Sequence, residues 1–318
     1  MNIRKRFNHC KNIASGIDIM DKNIRKGILC GVFSYVIWGL LPIFWKALES
    51  VRADIVFSHR IIWSVVLLFL YIALSRNLKP FFKECKQIYA NKKTLLVVIA
   101  AALLIGSNWL VFIWAVQNDY VLQASLGYYI NPLMSILLGV IIFKERLSRL
   151  QQLAVVMAAI AVTYLTVFYN VFPWIALYLA GTFAIYGLLK KLANLNATYS
   201  LMIETIVLLP PAIIYLIFQS GPSFGFTNDW FVNILLICTG LASTIPLLLF
   251  GMGVLYIPLS LVGILQYITP TLMLLIGVFL NNEPFTINHL ITFIFIWLSV
   301  IMYVSSSFYD RNKRGLAQ

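Results

Sequence analysis

Ten stretches of about 20 apolar residues, each long enough to cross a hydrocarbon core of about 30 Å as a helix, follow one another along the chain. They fall near 27–46, 55–74, 94–116, 122–143, 150–169, 173–190, 199–218, 230–250, 259–280 and 287–306. Runs of this kind leave few folds open. Lipid offers no hydrogen bonds, so each segment must satisfy its own backbone, and a helix does this without a neighbour. The apolarity is continuous rather than alternating, which argues against a β-barrel. With 61% hydrophobic and only 11% charged residues, and a mean hydropathy of +0.89, the composition is that of an all-α integral membrane protein.

The net charge of +13 points to topology rather than to nucleic acid, because the charges sit in particular loops. Residues 1–26 carry Arg4, Lys5, Arg6, Lys11, Lys22, Arg25 and Lys26 against Asp18 and Asp21, without an apolar run, and read as a basic cytoplasmic tail rather than a signal peptide. Met20 is a second candidate start. Arg76, Lys79, Lys83, Lys86, Lys92 and Lys93 fall between spans two and three, Lys144, Arg146 and Arg149 between four and five, and Lys190 and Lys191 between six and seven. Arg311, Lys313 and Arg314 follow span ten in a tail over 307–318, while the alternate loops hold little beyond Arg52, Asp119, Asp229 and Glu283. Basic loops stay cytoplasmic, which predicts that both termini are cytoplasmic. Cys10, Cys30, Cys85 and Cys238 lack metal-ligand spacing and read as unpaired.

A repeat organises the spans. Residues 124–147 slide onto 262–285 by a constant 138 positions, placing Tyr129 on Tyr267, Pro132 on Pro270, Gly139 on Gly277 and Glu145 on Glu283. FSYVIWGLL (33–41) echoes TFAIYGLLK (182–190), and Arg60 falls opposite Glu204. Five spans per half is an odd number, so the halves, 27–170 and 171–306, enter the membrane in opposite senses. The expectation is two inverted five-helix repeats, an arrangement recurrent in secondary transporters.

Soluble-enzyme chemistry has no foothold. There is no GxGxxG, Walker loop, HExxH or GxSxG, and His9, His59 and His289 cannot build a metal site. No cofactor or metal is expected, and transport would run on a gradient rather than on ATP. Charge inside a span costs about 2.5–3.5 kcal/mol on insertion scales and is normally retained for use. Arg60 and His59 lie about one turn inside span two, and Glu204 about one turn inside span seven, at opposite depths that disfavour a direct pair. His59 shares a face with Trp63 and Arg60 with Ser64. Asn108, Trp109, Tyr128, Tyr129, Gln266 and Tyr267 join Arg60, His59 and Glu204 as candidate substrate-binding residues, Trp114 and Gln117 are further pocket residues, and Pro132 and Pro270 are hinge candidates. Lys46 reads as an interface anchor, Glu145 and Glu283 as helix-end residues, and His59 or Glu204 is available for proton coupling.

The segments SHRIIWS, GSNWLVFIWAVQND, ASLGYYINPL, MIETIVLLPPA, STIPLLLF, QYITPTLMLLIGVFLNNEPF and FIFIWLS resemble the EamA-type members of the drug/metabolite transporter superfamily, and within them the RarD subgroup, named for chloramphenicol sensitivity. The resemblance spans roughly residues 25–306; the long basic amino-terminal tail departs from a compact ten-helix plan. It implies a multi-pass plasma-membrane permease whose central cavity opens alternately to each side for a small metabolite or drug-like molecule, with Arg60, Glu204, Asn108 and Tyr267 at the cavity. A membrane-embedded enzyme would need acid, base or metal-ligand groups converging at one depth, and a passive channel would show flux without saturation.

Overall fold

Apolar segments bounded by turn residues become helices because the chain has no other way to pair its backbone groups in lipid. The computed structural model describes residues 3–143, 147–169, 172–193, 195–220, 223–256 and 265–315, and no strand occurs among them. The helices are α1 (Ile3–Lys46), α2 (Ala53–Leu74), α3 (Leu78–Ala90), α4 (Lys92–Gln117), α5 (Val121–Phe143), α6 (Arg149–Tyr169), α7 (Trp174–Ala193), α8 (Ala197–Ser220), α9 (Trp230–Tyr256), α10 (Ile268–Phe279) and α11 (Ile287–Gly315). Six of them contain stretches long and apolar enough to span a membrane, and shorter apolar helices cover Arg149–Tyr164, Trp174–Lys190, Ile268–Phe279 and Ile287–Met302. Glu145 lies outside the described residues.

The expected span ends agree with most helix ends to within about six residues, with four differences, one being that the last helix continues past the expected end at 306 through Arg311, Lys313 and Arg314 to Gly315. Helix α1 continues back through the basic tail to Ile3. The ninth span begins, within the described residues, at a turn over Gln266 and Tyr267 and continues as the short α10. The basic stretch between spans two and three is itself helical: α3 buries Phe81 and Ile88 and leaves Lys79, Lys83 and Lys86 exposed. That amphipathic pattern, next to spans on both sides, suits a helix lying along a membrane surface. Asn91 separates α3 from α4, its side-chain oxygen accepting from the N–H groups of Lys93 and Thr94.

The outer surface is rich in large apolar side chains such as Phe69, Leu103, Ile214, Phe218, Phe231 and Ile301, as lipid-facing helices require. Association in lipid must come from close fit and internal hydrogen bonds rather than from exclusion of water. Both are present. A Cβ at Gly127 of α5 would stand 2.8 Å from the Ala176 carbonyl oxygen of α7, and one at Gly39 of α1 would stand 2.8 Å from Leu272 Cβ of α10. Gly240 of α9 lies against the Trp63 backbone of α2, and Gly106 of α4 against Leu208 of α8. Hydroxyls reach across to neighbouring carbonyls: Ser34 donates to Pro246 at 2.7 Å, Ser125 to Pro270 at 2.7 Å, Thr269 to Tyr35 at 2.8 Å and Ser299 to Ala154 at 2.6 Å.

Helix neighbours come in matched sets. Helix α1 packs on α9 and α7 on α4; α2 packs on α9 and α8 on α4; α5 packs on α7 and α10 on α1. The remaining extensive contacts join α2 to α8, α5 to α10 and α6 to α11. Connections gather at two ends. Residues 46–54, 117–121 and 281–286 adjoin one another, through Lys46 with Asp119, Gln117 with Leu48, and Glu283 with Val121, and residues 223–229 lie against the start of α2, where Gly225 meets Ile55. At the opposite end Glu84 of α3 accepts from the Asn196 N–H and Ser148 meets Ser306.

Close approach at Gly127 is to backbone, which cannot swing aside. Gly127→Ala should therefore destabilise by about 1–3 kcal/mol. Gly187, with nothing within 4 Å of a built Cβ, should tolerate alanine or gain up to about 1 kcal/mol from helix propensity. Melting curves of the two variants in detergent check this; equal melting temperatures would mean that the α5–α7 contact is looser than described.

Candidate functional site

Helix α2 carries His59 and Arg60 side by side, about 100° apart around its axis, so they look in different directions. Arg60 is 6% exposed. Its guanidinium carbon lies 4.3 Å from the ring centroid of Trp109 on α4 and 5.4 Å from that of Trp45 at the end of α1. Tyr128 of α5 lies within electrostatic reach, with Phe112 edge-on to it at 5.7 Å. Among the described residues Arg60 makes no ion pair or hydrogen bond, and its buried Nε has no acceptor; Trp45, wholly buried, likewise leaves Nε1 without one. Cation–π contact contributes about 2 kcal/mol when desolvated, whereas burying an ion costs several kcal/mol. The aromatic walls therefore offset only part of the penalty, and the site keeps an uncompensated positive charge and two spare donors.

The other candidates divide between packing and this cluster. His59 Nε2 is 3.1 Å from the Phe224 carbonyl oxygen and its ring meets Phe226 edge-on at 4.8 Å. It thus fastens the segment before α9. Gly225 there has φ +82°, and a Cβ would stand 2.7 Å from Ile55 Cγ2, so both the turn and the close approach require glycine. Asn108 turns to α7, donating to the Leu179 carbonyl at 3.0 Å and to Thr182 Oγ1 at 2.8 Å. Tyr129 and Tyr267 stack on each other with centroids 6.1 Å apart, and the Tyr129 hydroxyl is 2.6 Å from Thr271 Oγ1. Gln266 is half-buried in the turn before α10; Pro270 occupies the first turn of α10, where its missing N–H is not needed, and Pro132 lies inside α5.

Glu204 does not meet Arg60. Its Oε1 accepts from Ser200 Oγ at 2.7 Å and Lys190 Nζ at 2.9 Å, its Oε2 from the Tyr186 hydroxyl at 2.8 Å, and Lys190 also donates to Ser200 Oγ at 2.6 Å. This carboxylate is fully satisfied. Arg60, Trp109 and Tyr128 are thus brought together, while Glu204, Asn108, His59 and the tyrosine pair each sit elsewhere. Trp45, Tyr186 and Ser200 join these sites without having stood out in the sequence, and Lys190, read there as a loop charge, lies inside α7.

The end bearing Glu283 is cross-tied. Lys46 Nζ lies 2.8 Å from Asp119 and 2.9 Å from Glu49, and Gln117 donates to the Leu48 and Val51 carbonyls at 3.0 and 3.1 Å. Asp54 accepts from Arg52 and the Tyr215 hydroxyl, each at 2.6 Å. A cavity of about 600 Å³ opens here, lined by Glu49, Arg52, Asp54, Trp114, Gln117 and Trp174 among others. Two sequence candidates, Trp114 and Gln117, fall in this lining. Glu283 caps α5, accepting from the Val121 N–H at 2.7 Å and the Leu122 N–H at 2.9 Å. Burial pushes the Glu283 carboxyl up to about 7, against the pull of those two N–H donors. No group of three metal-ligating side chains occurs among the described residues.

Apolar helices that carry large hydrophobic side chains outward and polar groups inward define a multi-pass membrane protein. Comparison with known sequences gives its kind. Residues 25–167 match the EamA-like transporter family. An uncharacterized transporter of Vibrio cholerae is 40% identical over 89% of this chain and 93% of its own, and the uncharacterized transporter YojE of Bacillus subtilis 41% over 89% and 94%. Protein RarD of Escherichia coli K12 is 38% identical over 92% of this chain and 98% of its own. The chain belongs to the EamA-like transporter family, as a RarD-like member. A solved crystal structure shares the fold, with a TM-score of 0.58 at 15% identity over 90% of this chain and 98% of that one. Family and relatives make it a transporter-type protein rather than an enzyme, consistent with the bacterial plasma membrane.

Removing Glu204, which is 1% exposed, deletes three charge-assisted hydrogen bonds but leaves Lys190 only half-buried and within reach of water. Glu204→Ala should therefore cost about 1–3 kcal/mol, the usual range for losing hydrogen bonds to a charged group, measured by denaturant unfolding in detergent; an unchanged midpoint would sink the structural assignment. At Glu283 the folded state holds its proton more tightly than the unfolded chain, whose carboxyl titrates near 4.5. That contribution is complete below about pH 4.5 and is lost as pH rises toward 7. Relative to Glu283→Gln, the wild type should lose thermal stability across that window, and parallel curves would refute it.

Proposed function

We propose that this chain is a secondary transporter that moves a small metabolite or drug-like molecule by alternating access, without ATP, between two inverted five-helix halves. The halves run from 27 to 170 and from 171 to 306, flanked by cytoplasmic tails over 1–26 and 307–318. The observation that carries this reading is the pairing of neighbours: exchanging α1 with α7, α2 with α8, α4 with α9, α5 with α10 and α6 with α11 turns the set of extensive helix contacts into itself. A two-fold axis has this property. Residues on such an axis meet their own equivalents, and Tyr129 stacks on Tyr267, its counterpart at 138 positions. The glycines at the α2–α9 and α4–α8 contacts, Gly240 and Gly106, occupy corresponding helices as well.

Basic loops at the end bearing Glu84 and Lys190, and acidic residues at the end bearing Asp119 and Glu283, support placing the first end and both termini in the cytoplasm. The cross-ties at the Glu283 end then close the outer side. Arg60, Trp109 and Tyr128 lie beneath them as the substrate site, with Glu204 and His59 as positions for proton coupling. Pro132 and Pro270 are the hinges of the two halves.

Purified protein in proteoliposomes, given a uniformly isotope-labelled metabolite extract without ATP, should accumulate a narrow set of compounds saturably, read by mass spectrometry of the trapped contents. Pro270→Ala should slow turnover several-fold with little change in half-saturation. Flux that stays linear in concentration would indicate a channel, and no flux above protein-free vesicles would overturn the reading.

A further inference from the structure

We propose that Arg60 is the counter-ion for a substrate carboxylate, and that Arg60, Trp45, Trp109 and Tyr128 together take an organic monocarboxylate with a planar apolar body. This rests on the transporter reading and gives that site its ligand class. The two buried charges of the spans are handled in opposite ways. Glu204 has a lysine, a tyrosine and a serine on its two oxygens, which is how a charge needed for packing is kept. Arg60 has no acceptor among the described residues, and neither does the indole N–H of Trp45 in the same cluster. Two unsatisfied buried donors and one unbalanced positive charge call for a group that only accepts and is negative, which a carboxylate is.

The rest of the ligand follows from the walls. The guanidinium carbon lies 4.3 Å from the Trp109 ring centroid and its Nε has no acceptor among the described residues; a guanidinium held against a ring in this way can still make the two parallel bonds by which it takes a carboxylate. Trp45, Phe112, Val56, Leu41 and Ile113 belong to one buried apolar cluster, against which a flat hydrocarbon or aromatic body packs well. The charge count sets the valence. Nearby cations are already engaged, Lys46 by Asp119 and Glu49, and Arg52 by Asp54. Among the described residues this leaves Arg60 as the cation of the cluster without a counter-charge, which balances a monoanion, whereas a phosphate monoester, carrying about −1.5 to −2 at pH 7, would leave charge uncovered in an apolar site.

Thermal melting of the full chain in neutral detergent tests this with one ring bearing four head groups: phenylacetate, phenylacetamide, phenethylamine and phenyl phosphate, with indole-3-acetate as a larger planar carboxylate. Bound ligand raises the melting temperature by mass action. Phenylacetate or indole-3-acetate should raise it, the amide and amine should not, and phenyl phosphate should do so less. Without ligand, Arg60→Gln should melt at or above the wild type, because the ring contacts it loses offset only part of the cost of burying the charge. It should weaken carboxylate binding by about 30-fold or more, which is about 2 kcal/mol, and Arg60→Lys should retain part of it. Any of four results overturns the proposal: equal shifts from amide or amine, a larger shift from the phosphate, no shift from either carboxylate, or an Arg60→Gln chain that melts well below wild type. Flux separates the two readings. A carboxylate that binds through Arg60 but is not carried into proteoliposomes defeats the transporter reading and leaves the anion site standing. Saturable flux of neutral or cationic metabolites that Arg60→Gln does not alter defeats the anion site and leaves the transporter standing.

Discussion

Lipid supplies neither hydrogen bonds nor a hydrophobic force between helices, and the architecture follows from that constraint. Each segment closes its own backbone bonds, and two means of holding its neighbours recur between the helices. One is approach so close that glycine is required, as where Gly127 meets the Ala176 carbonyl and Gly240 meets the Trp63 backbone. The other is a hydroxyl reaching a carbonyl on the next helix, as from Ser125, Ser34 and Thr269. Both are short-ranged and define a helix pair sharply. The ends of the helices, where polar groups meet water, can then be tied by longer side chains such as Lys46, Gln117 and Glu283.

Against this apolar background, each charge is informative in proportion to what surrounds it. Insertion energy alone makes Arg60 and Glu204 look equivalent, since both are ionisable residues within spans. Their surroundings separate them: Glu204 is enclosed by Tyr186, Lys190 and Ser200, while Arg60 is enclosed by rings. A neutralised cluster joins α7 to α8 through hydrogen bonds that are complete within the protein. An un-neutralised cation is stabilised only in part by the rings around it.

The apolar helices, and most of their ends, were legible because they depend on hydropathy over about 20 residues, a local property of the chain. Helix α3 was not, since Lys79, Lys83 and Lys86 give its stretch the average polarity of a loop while Phe81 and Ile88 form its buried side. Trp45 was obscured for a related reason: an aromatic residue at a span end looks like an interface anchor, and only the packing of α1 shows it to be wholly buried beside Arg60. Asn108 had the polarity of a pocket residue, but helix rotation turns it to α7.

By itself the sequence determined that the chain lives in a membrane as helices, roughly where most of those helices start and stop, that segments 138 positions apart resemble each other, and that it resembles one transporter family. Tertiary structure decided which ionisable side chains are satisfied. Arg60 reaches Trp45 and Trp109 from helices on either side of α2, and Glu204 reaches Lys190 and Tyr186 across the α7–α8 turn. Such meetings depend on the rotation and depth of each helix against its neighbours, and these are set by side-chain packing between segments distant in sequence. The length of an apolar run, by contrast, needs nothing beyond the run itself.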